Sequence, residues 1–333
     1  MPQTVKGKGN SGTGGKVLVL TDGKAGHESQ SRAFARALGR DFDLVEVHFK
    51  SRLHKALSYL FDRLGLRTTA LFAPPAQAVD RLAERPASHY EAVIGTGSGT
   101  FYAAKAVARR CGARCGVVLY PRGYDIASFD CVLAPSFDRP KAAPNVVQIP
   151  VNLVAADAAF YEKGVAAFRE HYRKSTGRPL PVPADAAAVI VGGPNRCSTM
   201  SAGWMKAELD RLFASGTASR YWVTTSRRTP PEVEALVDSY PWDYRLLYSK
   251  DRFNPIPAFV SLARCLCVTA ESTGMISEAC TSGTAEVRVL DNLNPGPSKF
   301  RRFVESLRAG GYVDGSRKVD LAAPLARARA LMR

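Results

Sequence analysis

Two stretches of this chain place residues that do chemistry beside the glycines that let a ligand come close. The first is residues 22–30, D-G-K-A-G-H-E-S-Q, after the short apolar run K-V-L-V-L-T. A Gly-rich loop after a strand sets Asp22, Gly23, Lys24, Gly26, His27 and Glu28 at the carboxyl end of that strand, where open α/β sheets bind ligands. An imidazole is suited to take a proton from an attacking hydroxyl near neutral pH, so His27 reads as a general base with Asp22 as its companion. A surface histidine near a helix start is the plainer reading.

The second stretch is residues 268–284, V-T-A-E-S-T-G-M-I-S-E-A-C-T-S-G-T. The apolar residues 265–268 suit a buried strand, residues 269–274 the turn after it, and a helix is expected from Met275. Backbone N–H groups at such a helix start are unpaired and lie at the positive end of the helix dipole, which favours phosphate. Ser272 and Thr273 add hydroxyls, and Gly274 permits close approach. Glu278, four residues on, shares the helix face and can accept hydrogen bonds from a ribose. Together these groups describe a nucleotide site; an ordinary strand-to-helix turn with a solvated glutamate is the alternative.

The elements that position these groups follow from periodicity. Strands are expected at residues 16–21, 42–48, 92–94, 116–120, 131–134 and 146–150, and helices at 31–38, 50–67, about 100–109 and 155–173. The loop G-T-G-S-G-T at 95–100, with Gly97 and Ser98, is a weak dinucleotide signal because no acidic residue follows at the right strand end; its glycines are expected to admit a ligand or another domain. The Pro-rich residues 175–184 read as a linker. Strands then recur at 187–191, 220–224, 245–248, 265–268 and 287–290, with helices at 202–213, 231–239 and within 254–263. The loops G-G-P-N-R-C-S and T-S-R-R-T-P bring Gly193, Asn195, Arg196, Ser226, Arg227 and Arg228 to the phosphate side, although each arginine alone also fits a solvated surface.

Two strand, loop and helix series imply two facing Rossmann-like, doubly wound α/β domains with a cleft between them. The expected division is a disordered tail at 1–15, an N-terminal Rossmann-like domain at 16–174, a linker at 175–185, a C-terminal Rossmann-like domain at 186–315, and a C-terminal helix at 316–333 packing back on the first domain. The 333 residues, 46% hydrophobic and 23% charged, suit such a chain. The start has no apolar core for a signal peptide and no run reaches membrane-span length, so a cytoplasmic protein is expected. Seven cysteines without a C-x-x-C pair read as buried thiols. A net charge of +16 calls for an anionic partner, and its spread along the chain without a nucleic-acid signature points to substrate or membrane surface. Residues 50–73 supply the candidate surface, with Leu53, Leu57, Leu60 and Leu64 at helical spacing beside Lys50, Arg52, Lys55, Arg63 and Arg67. Such a segment can lie on the inner face of a membrane as a peripheral helix. A core-facing helix with a solvated basic face is the alternative.

The motifs D-G-K-A-G-H-E-S-Q, V-G-G-P-N-R, T-T-S-R-R-T-P, N-P-I-P and T-A-E-S-T-G-M-I-S-E-A resemble, in order, a family named for a plant mitochondrial fission factor, over about residues 16–310. That family is similar to B-type glycosyltransferases such as the N-acetylglucosaminyltransferase of lipid II synthesis. The resemblance matches Gly26 and His27 to a first-loop G-H and Ser277 and Glu278 to a late S-E-A-type motif, and implies a UDP-sugar or similar donor on the second domain and an acceptor on the first. Three positions depart from the family pattern: Ala25 for Pro, Glu271 for Asp, and Ser136-Phe137-Asp138 where a histidine is often seen. The plant member is described as an adaptor for a dynamin-like protein. The resulting expectation is a metal-independent inverting sugar transfer to an envelope or lipid-linked acceptor, with a nucleotide-diphosphate sugar as substrate and no cofactor. The one D-x-D spacing, Asp41 to Asp43, starts a strand of the first domain. A nucleotide-sugar 2-epimerase using Asp22, Glu28 or Glu271, or a non-catalytic membrane adaptor, are the competing readings.

Overall fold

The computed structural model describes residues 5–7, 15–73, 89–154 and 157–333. The chain folds into two compact units, Met1–Ala155 with Leu321–Arg333, and Ala156–Asp320.

The first unit is built on strands β1 (Val5–Gly7), β2 (Lys16–Thr21), β3 (Phe42–Glu46), β4 (Tyr90–Thr96), β5 (Arg114–Val118), β6 (Cys131–Pro135) and β7 (Val146–Ile149). They lie in the order β1-β3-β2-β4-β5-β6-β7, all pairs parallel except β1 with β3. Strands buried on both faces read as continuous apolar runs, and β2 shows why. Leu18 and Leu20 enter one cluster with Val93, Tyr102 and Val107, while Val17 and Val19 enter the opposite one with Phe34, Ile94 and Leu133. Helices α1 (Ala25–Ala37), α2 (Arg52–Arg63) and α3 (Phe101–Cys111) connect the early strands. Two expectations change here. Within the segment expected to be a disordered tail, Val5–Gly7 pairs with β3 as an edge strand. Helix α1 begins at Ala25 and not at residue 31, so Gly26, His27 and Glu28 are first-turn residues, with Lys24 as the N-cap. The apolar, turn-rich stretch A-L-F-A-P-P at residues 70–75, which follows the basic leucine segment in the sequence, lies partly outside the described residues.

The second unit carries α4 (Ala158–Thr176), β8 (Ala186–Ile190), α5 (Ala202–Ala214), β9 (Arg220–Thr224), α6 (Pro231–Asp238), β10 (Tyr244–Leu246), α7 (Ile256–Leu262), β11 (Cys265–Thr269), α8 (Thr273–Thr281), β12 (Glu286–Leu290) and α9 (Lys299–Ala309). Its five strands are all parallel, in the order β10-β9-β8-β11-β12. Helix α4, expected to close the first domain, belongs to this unit. Its Phe168 is fully buried with ring centroids 4.8 Å from Tyr244, 5.3 Å from Trp222 and 5.7 Å from Phe259, an aromatic core built within this unit. The division therefore falls at residues 155–156, and the Pro-rich residues expected to link two domains instead join α4 to β8. The last helix, α10 (Ala322–Leu331), packs on β6 and β7 of the first unit, with Ala328 and Met332 buried against that core.

Candidate functional site

In an open parallel sheet the ligand crevice forms where neighbouring strands leave in opposite directions, so that the loops at their carboxyl ends diverge. The first sheet has this point between β2 and β4, and the second between β8 and β11. Both chemistry-bearing stretches of the sequence end there.

At the first crevice, Asp22 follows β2 and its side chain is 7% exposed, while that of His27 is 24% exposed. The His27 Nδ1 lies 3.0 Å and 3.1 Å from the two Asp22 carboxylate oxygens. An ionised carboxylate only accepts, so in the neutral imidazole Nδ1 carries the proton and Nε2 keeps its lone pair. Lys24 Nζ donates to the same carboxylate at 2.7 Å. Burial pushes the Asp22 carboxyl upward, but hydrogen bonds from Lys24 and His27 and their charges outweigh it and hold the group below its ordinary value. The glycines of the β4 loop exist for this pair. Gly97 has φ +80°, and any Cβ there would overlap the His27 ring; a Cβ on Gly99 would come within 2.8 Å of Asp22. Ser98, between them, accepts a hydrogen bond from Lys55 Nζ of α2 at 2.9 Å. Of the other expected residues, Gly23 turns the chain at φ +77°, Gly26 has open space about it, and Glu28 is paired with Arg32 at 2.7 Å on its own helix. Glu28 is therefore not part of the dyad's surroundings. The D-x-D spacing is also spent: Asp43 is buried and takes Lys16 at 3.2 Å and the Tyr90 hydroxyl at 2.8 Å.

At the second crevice, Gly192 and Gly193 follow β8, and residues 270–272 follow β11. The Gly193 N–H donates to Glu271 Oε1 at 2.8 Å, the Thr269 hydroxyl to the same oxygen at 3.1 Å, and the Gly192 N–H to Thr269 Oγ1 at 2.9 Å. A side chain on Gly192 would occupy the place of the Glu271 carboxylate, and one on Gly193 the place of the Arg228 carbonyl. Glu271 itself is fully buried, with Arg228 Nη2 4.0 Å away and half exposed. Helix α8 starts at Thr273, two residues earlier than expected, with Ser272 as an N-cap whose side chain makes no capping bond. Thr273, Gly274 and Met275 thus present first-turn N–H groups that no described side chain caps. Arg227 and Arg228 are exposed on the loop after β9.

Several expected contacts are corrected. Ser277 is buried and its hydroxyl donates back to the Thr273 carbonyl at 2.6 Å, so it belongs to the helix and is not a ligand group. Asn195 Oδ1 accepts from the Cys197 N–H at 2.7 Å, and the Ser226 hydroxyl donates to the Gly192 carbonyl at 2.8 Å, so these two groups shape their loops. Arg196 is exposed. Glu278 is half-buried and accepts from the Tyr161 hydroxyl of α4 at 3.1 Å. Burial raises its carboxyl and this hydrogen bond partly offsets the rise. Sequence reasoning missed Tyr161, Thr229 and Gly192. Tyr161 sits on a helix that periodicity alone could not assign to a sheet. Thr229, whose hydroxyl donates to the Gly192 carbonyl at 2.6 Å, and Gly192 itself lie in motifs already singled out.

Two parallel α/β units, each with a switch-point crevice, one holding a His–Asp dyad and the other an uncapped helix start, define the B-type glycosyltransferase fold. The chain belongs to the Mitochondrial fission ELM1 family, whose model matches residues 25–329. No curated protein matches it in sequence. Among solved structures it is similar to a UDP-glucosyltransferase from Polygonum tinctorium, at TM-score 0.52 and 12% identity over 97% of this chain and 93% of that one. It is also similar to the UDP-GlcNAc 2-epimerase of Neisseria meningitidis bound to UDP-GlcNAc, at TM-score 0.51 and 12% identity over 95% and 97% of the two chains.

Proposed function

We propose that this protein transfers a sugar from a nucleoside-diphosphate donor to the hydroxyl of an envelope or lipid-linked acceptor at the cytoplasmic face of the membrane, with inversion and without a metal. The observation that carries the reading is the His27–Asp22 dyad, seated by Gly97 and Gly99 at the switch point of the first sheet. His27 Nε2 takes the acceptor proton as the acceptor oxygen bonds to the anomeric carbon. The bond from that carbon to the diphosphate breaks, and the leaving oxygen keeps the electron pair. The N–H groups of Thr273, Gly274 and Met275, with Arg227 and Arg228, meet the charge that develops on the diphosphate. The two similar structures are named for UDP-sugar chemistry, which makes UDP sugars the first donors to assay. A 2-epimerase would need acid and base carboxylates at the sugar, and here Asp22 is held by Lys24 and His27, Glu28 is engaged by Arg32 and Glu271 is buried and takes the Gly193 N–H. Transfer is the better fit.

Glu278→Ala tests the donor half. It removes charged acceptors for ribose hydroxyls and is expected to weaken nucleotide binding by about 1 to 3 kcal/mol in calorimetric titration. Unchanged affinity for the best nucleotide removes Glu278 from the ribose site.

The acceptor location rests on α2. Leu53, Leu60 and Leu64 are 66%, 51% and 63% exposed, whereas Leu57 packs on the core of the first unit, so three of the four leucines of the row point outward. Exposed Lys50, Arg52 and Arg63 flank it, and the helix's one carboxylate, Asp62, is buried and paired with Lys105. No helix among the described residues is long and apolar enough to cross a membrane. A surface of leucine and cation alone suits an anionic leaflet. Sedimentation with vesicles containing anionic lipid should show salt-sensitive binding. Changing Lys50, Arg52 and Arg63 together to Gln should cost about 3 kcal/mol, at about 1 kcal/mol each. The same change at Arg327, Arg329 and Arg333 is the control, and equal loss in both would mean that diffuse charge, and not α2, meets the lipid.

A further inference from the structure

We propose that Tyr161 is a positioning residue for the nucleotide ribose, acting through Glu278; the inference rests on the nucleotide-sugar reading above. Nothing in the motifs points to Tyr161, which comes to the site only because α4 packs in the second unit. Its hydroxyl lies 3.1 Å from Glu278 Oε1 and 2.9 Å from Ser282 Oγ. The phenol O–H faces two acceptors, and the charged carboxylate of Glu278 is the stronger of the two, with the neutral Ser282 hydroxyl as the second. Ser282 is one turn beyond Glu278, and its N–H also closes the helix on the Glu278 carbonyl at 3.0 Å. Both acceptors of the Tyr161 hydroxyl are therefore fixed to the helix that carries the glutamate.

This arrangement does two things. It fixes one carboxylate oxygen, so that Oε2 is left for a ribose hydroxyl at a set orientation, without the rotamer search a free glutamate would make on binding. It also works against neutralisation of the carboxylate. Burial favours the neutral acid, which would present a donor where an acceptor is needed, and the Tyr161 hydrogen bond opposes that. Tyr161 remains a donor throughout, because burial and then the Glu278 charge push its own ionisation upward. Tyr161 is the ionisable group that bears on the Glu278 carboxyl. Glu162 and Arg169 of α4 flank Tyr161 along a surface groove that Ser261 also lines.

The test compares full-length wild type with Tyr161→Phe. Calorimetric titrations use the diphosphate that wild type binds best from UDP, GDP, CDP and ADP, together with its 2′,3′-dideoxy form, between about pH 5 and 8. The ratio of the two affinities isolates the ribose hydroxyls and cancels titration of the phosphates. In wild type the preference for the ribonucleotide should fall as the pH drops through the raised Glu278 ionisation. In Tyr161→Phe the preference should be about tenfold smaller at neutral pH. Its midpoint should lie at higher pH, because the bond that held the carboxyl down is gone. Dideoxynucleotide affinity should not change, which a structural defect alone would not spare. An unaltered ratio and midpoint overturn the proposal, and so does tighter ribonucleotide binding, which would make Tyr161 an occupant of the ribose position. If wild type binds none of the diphosphates, the nucleotide reading fails and takes this inference with it. Binding by wild type with an unmoved ratio in the variant sinks the Tyr161 role alone.

Discussion

Replacing His27 with alanine should lower turnover by about 10²- to 10⁴-fold, the usual contribution of a general base, while leaving nucleotide affinity within error of wild type. The dyad is built in the first unit and the crevice proposed for the nucleotide in the second, so the two effects separate. Asp22→Asn is the sharper companion. An asparagine amide can donate to Nδ1 and so stabilise the tautomer with its proton on Nε2, which cannot accept from a hydroxyl. Its loss should approach that of His27→Ala with little change in acceptor KM. Donor turnover and donor Kd, measured on the same preparations, decide the matter. Parallel loss of both in His27→Ala would put the histidine in the donor site instead.

The second large effect concerns stability. Asp62 has no exposed side-chain surface and takes Lys105 Nζ at 2.7 Å, Arg67 at 3.3 Å and the Asp125 N–H at 2.6 Å. Lys105 is itself buried, its ammonium lies 4.1 Å from the centroid of the Phe129 ring, and burial holds its ionisation below the ordinary lysine value despite Asp62. Asp62→Ala leaves that cation with only the Asp125 carbonyl as a polar partner at 2.7 Å. Breaking a buried pair from one side costs about 3 to 5 kcal/mol, so the first unit should unfold at markedly lower denaturant. Replacing both partners, Asp62→Leu with Lys105→Met, should recover part of the loss, since the buried ammonium is removed while Arg67 loses its carboxylate but keeps the Asp62 and Leu66 carbonyls. A single variant as stable as wild type would show that the pair does not hold α2 against α3. Because the chain has two units, the transition must be followed by a probe in the first.

Why some of this could be read from the residues and some could not is visible at particular positions. The core strands of both sheets were legible because parallel strands are buried on both faces; K-V-L-V-L-T gives β2 with its bounds unchanged. The family and the two-unit fold were legible from ordered motifs at loop positions. Helix α1 was read late because Gly26 and His27 look like loop residues, yet Lys24 caps the helix ahead of them. The G-T-G-S-G-T glycines were read as space for a ligand, and they turn out to be space for His27 and Asp22, a three-dimensional fact without a sequence period. Ser277 and Ser226 have the right type for a nucleotide site, but their hydroxyl protons go to backbone carbonyls, and the Asn195 oxygen takes a backbone N–H, which composition cannot reveal. Helix α4 has a clear apolar stripe whose sheet is named only by the aromatic residues it meets.

The most direct test of the account is whether the folded chain binds a nucleotide at all. Thermal unfolding and calorimetry of the full chain against UDP, GDP, CMP and ADP should single out one of them. At about 100 times its dissociation constant that nucleotide should stabilise the fold by about 2.7 kcal/mol, and Glu278→Ala should reduce the shift. No stabilisation by any of the four would contradict the nucleotide-sugar site and leave a non-catalytic adaptor as the better description.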